Sequence, residues 1–135
     1  MKIYIGERCS GKTTKLIKES AKTGYTIVVA NRGMADCVVD QAKRMGLAIP
    51  TPLTIRQCNS GALRGRHVEG ILIDELDMVF DVIFNNIPVE GVTVTDAYLR
   101  GSVKVEYLYD QRRKIHIKKW FKGLLKNDRR TKKTS

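Results

Sequence analysis

The chain has few of the residues that build metal and disulfide sites. Its 135 residues include three cysteines and two histidines. Cys9, Cys37 and Cys58 are widely separated, form no Cys-x-x-Cys pair and have no histidine close by in the sequence. Structural zinc sites and disulfide frameworks need such residues at characteristic short spacings. The sequence therefore predicts three free thiols and indicates neither kind of site.

Long uncharged apolar runs are also missing. A membrane-spanning helix needs about 20 consecutive, mostly apolar residues, and the sequence contains no such run. The N-terminus lacks the basic flank, apolar stretch and small-residue cleavage site of a secretory signal. We therefore expect a cytoplasmic protein. With 42% hydrophobic residues, a chain of this length can form one compact core with an appendage.

Acidic residues are nearly missing from the C-terminal end. Residues 112–135 hold 11 Lys or Arg and one Asp, a net charge of +10. Residues 1–111 hold 14 Lys or Arg and 13 Asp or Glu, a net charge of +1. This step in charge predicts a domain of residues 1–111 followed by a basic segment of residues 112–135. Such a segment attracts nucleic acid or an anionic membrane surface, or extends into solvent as a tail.

The basic segment also has the apolar spacing of a helix. Ile117, Trp120, Phe121, Leu124 and Leu125 fall on one helical face. We expect this face to dock on the protein's own core, with a membrane surface or a partner protein as the alternatives. The cations then face a phosphate backbone, and the candidate nucleic-acid-binding residues are Arg112, Arg113, Lys114, Lys118, Lys119, Lys122 and Lys126.

Short apolar, β-rich runs alternate with helical patterns before this segment. Strand patterns occupy residues 2–6, 25–31, 51–57, 71–77, 91–97 and 103–109, and helical patterns occupy residues 11–24, 34–47 and 78–86. Buried-type strands that alternate with helices indicate crossover connections and a parallel sheet. The predicted fold class is therefore α/β, with a parallel sheet between two layers of helices.

The strongest motif is the stretch Gly6–Thr13, GERCSGKT, which matches G-x-x-x-x-G-K-[ST] between a predicted strand and a predicted helix. Glycines let the backbone curl around phosphates, and N–H groups at a helix start point toward the anion. Lys12 would reach the β- and γ-phosphates and act in catalysis, and the Thr13 hydroxyl would ligate Mg²⁺. The candidate nucleotide-binding residues are Gly6, Glu7, Arg8, Cys9, Ser10, Gly11, Lys12, Thr13 and Thr14.

A second motif, ILIDELD over residues 71–77, ends an apolar strand in two carboxylates. The carboxyl end of a parallel strand is the edge where doubly wound folds bind ligands. Asp74 is the candidate Mg²⁺ residue together with Thr13, and Glu75 is the candidate catalytic base for a water that attacks the γ-phosphate. The alternative is a charged turn whose aspartate caps the next helix, a role we favour for Asp77.

The two motifs together resemble those of P-loop ATPases with a catalytic glutamate, including RecA-like helicases and the large subunits of phage terminases. Residues 25–47 and 61–79 are similar to the corresponding parts of these motor lobes, and the resemblance extends from Met1 to about Asp96. It implies a RecA-like three-layer fold that binds Mg²⁺ and hydrolyses ATP on or beside nucleic acid, as in a phage DNA-packaging accessory located in the host cytoplasm.

The chain departs from this family in length. Helicases have two motor lobes and terminase large subunits add a nuclease domain, whereas this chain matches one lobe. A homo-oligomer or a partner subunit that supplies an arginine in trans would complete the site. The candidate arginines within this chain are Arg64, Arg66, Arg100, Arg112 and Arg113.

Two other functions are compatible with these motifs. The first is a nucleotide-dependent adaptor, or a membrane-associated partner protein, without useful turnover. The second is a nucleoside kinase, because SGKTTKLI over residues 10–17 also resembles the phosphate loop of zinc-containing thymidine kinases. The three scattered cysteines argue against the zinc cluster of those kinases.

Overall fold

The structure is a computed structural model that describes residues 1–93 and 103–108. The predicted boundary between residues 111 and 112, the basic C-terminal helix and its assigned cations lie outside the described residues. The same is true of most of the strand predicted at residues 91–97, of which residues 91–93 have no regular structure. The elements in chain order are β1 (Lys2–Gly6), α1 (Lys12–Thr23), β2 (Thr26–Val29), α2 (Arg32–Arg44), β3 (Leu53–Thr54), α3 (Ile55–Asn59), β4 (Ile71–Ile73), α4 (Leu76–Phe84) and β5 (Lys104–Leu108).

The chain divides into two compact units. One comprises Met1–Ser10 and Val103–Ser135, and the other comprises Gly11–Ser102. In the first unit, β1 pairs in parallel with β5, so that Lys2 lies opposite Lys104 and Gly6 opposite Leu108. The Lys104 N–H also donates to the Met1 carbonyl oxygen at 3.0 Å. The strand that leads into the predicted phosphate loop is therefore paired with a segment from the far end of the described chain.

The second unit contains a three-stranded parallel sheet in the order β3-β2-β4. The central strand β2 is fully buried, and helices α1, α2 and α4 all contact it. Its core includes Ile17, Ile27, Val29 and Val79, each at most 2% exposed. Burial of an isoleucine or valine side chain stabilises a fold by about 1.5–3 kcal/mol, so β2 anchors this unit. The predicted α/β class with parallel strands is confirmed.

The predicted strand over residues 51–57 is only partly correct. The strand β3 ends at Thr54, and helix α3 begins at Ile55. The Thr54 hydroxyl accepts a hydrogen bond from the Gln57 N–H at 3.2 Å, and the Gln57 side-chain oxygen accepts one from the Thr54 N–H at 2.8 Å. This reciprocal capping box satisfies two backbone donors at the start of a helix, which explains why the β-branched Ile55 is helical here.

Candidate functional site

The first part of the predicted phosphate loop, Gly6–Ser10, belongs to the first unit. A Cβ at Gly6 would lie against the Leu108 carbonyl oxygen and the Ser10 hydroxyl, so this position requires glycine. The turn closes with a hydrogen bond from the Ser10 N–H to the Glu7 carbonyl oxygen at 3.2 Å, and Cys9 adopts a positive φ of 60°. Glu7, Arg8 and Cys9 are exposed.

The Ser10 hydroxyl oxygen is buried and has no hydrogen-bond partner among the described residues. A buried polar group without a partner costs roughly 1–3 kcal/mol. This cost is removed if a ligand with an acceptor or donor group binds beside Ser10. The unsatisfied hydroxyl therefore fits the predicted role of Ser10 in nucleotide binding.

The second part of the predicted loop, Gly11–Thr14, starts the second unit. Gly11 has a φ of 90°, a left-handed conformation that suits glycine, and α1 begins directly after it. The Lys15 N–H reaches the Gly11 carbonyl oxygen at 3.0 Å, and the first turn of α1 contains no acidic residue. The first N–H groups of a helix lack intrahelical acceptors and carry partial positive charge, so this turn favours an anion.

Thr13 and Asp74 meet although 61 positions separate them in the chain. The Thr13 Oγ1 lies 3.2 Å from one carboxylate oxygen of Asp74 and 3.0 Å from the other, so that the hydroxyl can donate to either. Asp74 follows β4, and its N–H donates to the Val28 carbonyl oxygen of the central strand at 3.0 Å. The contact arises because α1 packs on β2 and β4 pairs with β2.

The Asp74 side chain is poorly suited to carry a charge without a cation. The residue is only 4% exposed, and burial raises the pKa of its carboxyl above the ordinary value. The hydrogen bond from Thr13 lowers this pKa, the Glu75 charge raises it and the Lys12 charge lowers it. A divalent cation would favour the ionised form.

Lys12 and Glu75 form an ion pair beside this contact, with Nζ and Oε1 3.5 Å apart. Their side chains are 17% and 31% exposed, so the pair is partly shielded from solvent. Glu75 has a φ of 50° and a ψ of 69°, the left-handed region. This conformation costs a non-glycine residue roughly 1–2 kcal/mol. The turn thus holds a strained glutamate beside the lysine at the start of α1.

The donor set of Thr13 and Asp74 fits Mg²⁺. Mg²⁺ prefers oxygen ligands, is commonly held by one or two carboxylates and keeps several water molecules. No group of three or more His, Cys, Asp or Glu side chains that could hold a metal occurs within residues 1–93 and 103–108. A magnesium ion bound by one carboxylate and one hydroxyl does not require such a group.

Gln41 is a residue of this region that the sequence motifs do not indicate. Its side-chain Nε2 donates to the Thr14 hydroxyl at 2.7 Å and so links α2 to the first turn of α1. The α2 pattern marks residue 41 only as a helical position, because the pairing depends on how the two helices pack. Gln41 therefore positions a candidate nucleotide-binding residue.

Other candidates lie away from these contacts. Asp77 is not the helix cap: Glu75 occupies that position in α4 without a side-chain cap hydrogen bond, and Asp77 lies in the first turn. There its negative charge interacts favourably with the helix dipole. Arg64 and Arg66 are exposed in the connector before β4. Arg100, Arg112 and Arg113 lie outside the described residues.

Comparison with protein-family models, with curated proteins and with solved structures produced no match to this chain. Within the described part of the chain, no helix has the length and apolar character needed to cross a membrane. The functional argument therefore depends on the motifs and on the geometry of Lys12, Thr13, Asp74 and Glu75.

Proposed function

We propose that this protein is a Mg²⁺-dependent ATPase with a RecA-like, three-layer P-loop fold that acts on or beside nucleic acid. The observation that carries the proposal is the convergence of two motifs far apart in sequence. The Thr13 hydroxyl lies 3.0 Å from the Asp74 carboxylate, and Lys12 lies 3.5 Å from Glu75. These are the four side chains to which the motifs assign cation, metal-ligand and base roles.

Each residue has a distinct task in the proposed reaction. The backbone of residues 6–13 and the Lys12 ammonium bind the phosphates, while Thr13 and Asp74 hold Mg²⁺. The ion neutralises charge on the β- and γ-phosphate oxygens when it is bound. Lys12 transfers its ionic contact from Glu75 to the phosphates, and the Glu75 carboxylate then orients water and accepts its proton. The products are ADP and inorganic phosphate.

The basic segment supplies the proposed contact with nucleic acid. Its net charge of +10 over residues 112–135 attracts a phosphate backbone without reading base sequence. A second subunit that supplies an arginine completes the charge stabilisation at the γ-phosphate. The proposed role is that of a DNA-handling accessory of phage type.

The direct test is ATP turnover by the full chain, measured with and without DNA over a range of protein concentrations. We expect Mg²⁺-dependent phosphate release that rises with DNA, and a specific activity that rises with protein concentration because of assembly in trans. Lys12→Ala is the control variant, because it removes the fixed cation that faces the terminal phosphates. The proposal is wrong if the parent chain does not bind Mg-ATP.

The Lys12–Glu75 ion pair also supports a second candidate, the nucleotide-dependent adaptor without useful turnover. If Lys12 keeps Glu75 in the nucleotide-bound protein, the carboxylate is not available as a base. Tight Mg-ATP binding without phosphate release in any assembly state would identify the adaptor. Turnover that requires an added nucleoside would instead identify a nucleoside kinase.

A further inference from the structure

A cavity of about 320 Å³ opens at the carboxyl ends of two neighbouring strands, β2 and β3. Its lining residues are Ala30, Asn31, Arg32, Thr54, Arg56 and Val82. None of these residues belongs to the predicted phosphate loop or to the Asp74–Glu75 pair. The volume lies at the lower end of the range of small-molecule sites.

Two arginines from different helices give the cavity its charge. Arg32 is the first residue of α2, and Arg56 is the second residue of α3. None of the six lining residues is acidic. Within the described residues, no acidic side chain pairs with Arg56. Arg32 pairs through its Nε with the Asp36 carboxylate at 3.3 Å, but both side chains are largely exposed, and this pair leaves the terminal N–H groups of Arg32 for another acceptor.

The neutral lining residues divide into donors already in use and an apolar wall. The Thr54 hydroxyl is engaged with Gln57 in the capping box. The Asn31 side-chain oxygen accepts from the Met34 N–H at 3.0 Å, which leaves its amide N–H groups as donors. Ala30 is buried and Val82 is half-buried, so these two provide apolar contact area. The cavity therefore combines cationic and amide donors with an apolar surface.

This combination selects a particular ligand chemistry. Arginine binds phosphate through two parallel hydrogen bonds and also stacks on planar rings. An apolar wall beside two guanidinium groups fits a phosphate joined to a flat, weakly polar group of small size. We propose that the cavity binds a nucleoside monophosphate unit, either as the free molecule or as one residue of a single strand of nucleic acid.

The proposal does not depend on ATP binding at the predicted phosphate loop. The test accordingly uses the full chain with Lys12→Ala, so that failure of the phosphate-loop assignment leaves the result unaffected. Nuclear magnetic resonance follows the Val82 methyl groups and the Arg56 Nε–Hε group. The probes are inorganic phosphate, thymidine monophosphate, adenosine monophosphate and a short oligothymidylate. For the oligonucleotide, the chain also carries glutamine at Lys118, Lys119 and Lys122 to reduce binding by the basic segment.

Supporting results are saturable shifts of both signals with a mononucleotide, weakened about tenfold or more by Arg56→Gln or Arg32→Gln. Arg66→Gln is the matched control, because Arg66 is exposed and does not line the cavity, and it should leave the affinity unchanged. Saturation by the free mononucleotides assigns a small-molecule ligand. Saturation by the oligonucleotide alone assigns a nucleic-acid strand.

The proposal is overturned if neither signal moves with mononucleotide concentrations of roughly 10 mM or with the oligonucleotide, because a Kd of about 1 mM would already give near saturation. It is also overturned if Arg66→Gln weakens binding as much as Arg56→Gln. That result would show general attraction of anions by surface charge.

Discussion

Asp74 is a buried carboxylate that a bound cation would favour and that the metal-free fold must keep in low dielectric. Burial raises the pKa of its carboxyl, so the folded chain holds a proton at this site more tightly than the unfolded chain. Between the ordinary pKa of aspartate and the raised pKa, the stability of the fold falls as pH rises. The ionised side chain therefore lowers the stability of the metal-free protein at neutral pH.

Asp74→Asn is expected to raise the melting temperature of the metal-free protein at neutral pH. The amide oxygen can still accept the Thr13 hydrogen bond, and it carries no charge to desolvate. The difference from the parent chain should shrink as pH falls below the ordinary pKa of aspartate. Calorimetry across this pH range checks the prediction, and added Mg-ATP should stabilise the parent more than the variant. A variant no more stable than the parent at neutral pH would contradict it.

Glu75 is the second residue with a specific expected effect. Glu75→Gln keeps the side-chain shape but cannot accept a proton, so turnover should fall by about 10²- to 10⁴-fold while Mg-ATP still binds. Phosphate release and calorimetric titration measure the two quantities. The control is Asp77→Asn, one turn along and exposed in α4, which should leave turnover near the parent value. Native turnover in Glu75→Gln would assign the glutamate a structural role.

Helix α3 shows at the level of single elements how a local signal competes with composition. The run of Leu53, Thr54 and Ile55 favours a strand because its residues are apolar or β-branched. The helix begins after Thr54 because its hydroxyl and the Gln57 side chain cap it reciprocally. The spacing Thr-x-x-Gln was readable in the sequence, so this boundary could have been predicted from capping chemistry.

Thr54→Ala should therefore destabilise the protein by about 1 kcal/mol, the usual effect of losing a helix cap. The side-chain hydroxyl is the only group removed that makes hydrogen bonds in the capping box. Chemical denaturation measures the change in the free energy of unfolding. Thr51→Ala is the matched control because Thr51 is exposed before β3, and it should change stability much less. Equal effects of the two substitutions would refute the capping role.

The basic segment is the element whose prediction concerns a partner. Replacing Lys118, Lys119 and Lys122 by Gln keeps the predicted apolar face and removes three charges. DNA affinity should fall, and each lost phosphate contact should reduce the salt dependence, log K against log salt, by about 0.9 for duplex DNA. Fluorescence anisotropy at several salt concentrations measures both.

The matched control changes the same number of exposed charges elsewhere, at Lys18, Lys22 and Lys43. It should bind DNA nearly as the parent chain does. If the tail variant keeps the affinity and salt slope of the parent while the parent binds anionic vesicles, the segment is a membrane or partner anchor.

Across the whole molecule, the motifs predicted which residues form the site better than they predicted its contacts. The phosphate-loop pattern and the acidic strand end indicated Lys12, Thr13, Asp74 and Glu75. Their pairing distances, the left-handed Glu75 and the Thr14–Gln41 hydrogen bond depend on the packing of α1, α2 and β4 against β2. The alignment of Arg32 with Arg56 depends likewise on the register of β2 with β3. Such contacts are not encoded in any one local pattern.

The pairing of β1 with β5 leads to a prediction about chain truncation. Ending the chain after Ser102 removes β5, leaves β1 without its partner in this sheet and removes the carbonyl of Leu108 that lies beside Gly6. ATP affinity should fall by roughly tenfold or more, because an ordered phosphate loop is lost. Calorimetry on the truncated chain measures this loss.

Ending the chain after Asp110 provides the control, since β5 remains while the basic segment is removed. This shorter truncation should keep ATP affinity close to that of the full chain. If both truncations bind ATP equally well, β5 does not support the loop.

The 61-residue separation between Thr13 and Asp74 has a consequence for the lifetime of the protein in a cell. A ligand that needs both side chains binds the folded chain and not the unfolded one, so it shifts the folding equilibrium by mass action. For Mg-ATP at about 100 times its Kd, the shift is about 2.7 kcal/mol, which lowers the unfolded fraction about a hundredfold. Proteases that cleave the unfolded chain would then remove the protein faster when nucleotide is scarce, and its abundance would follow the energy supply of the cell.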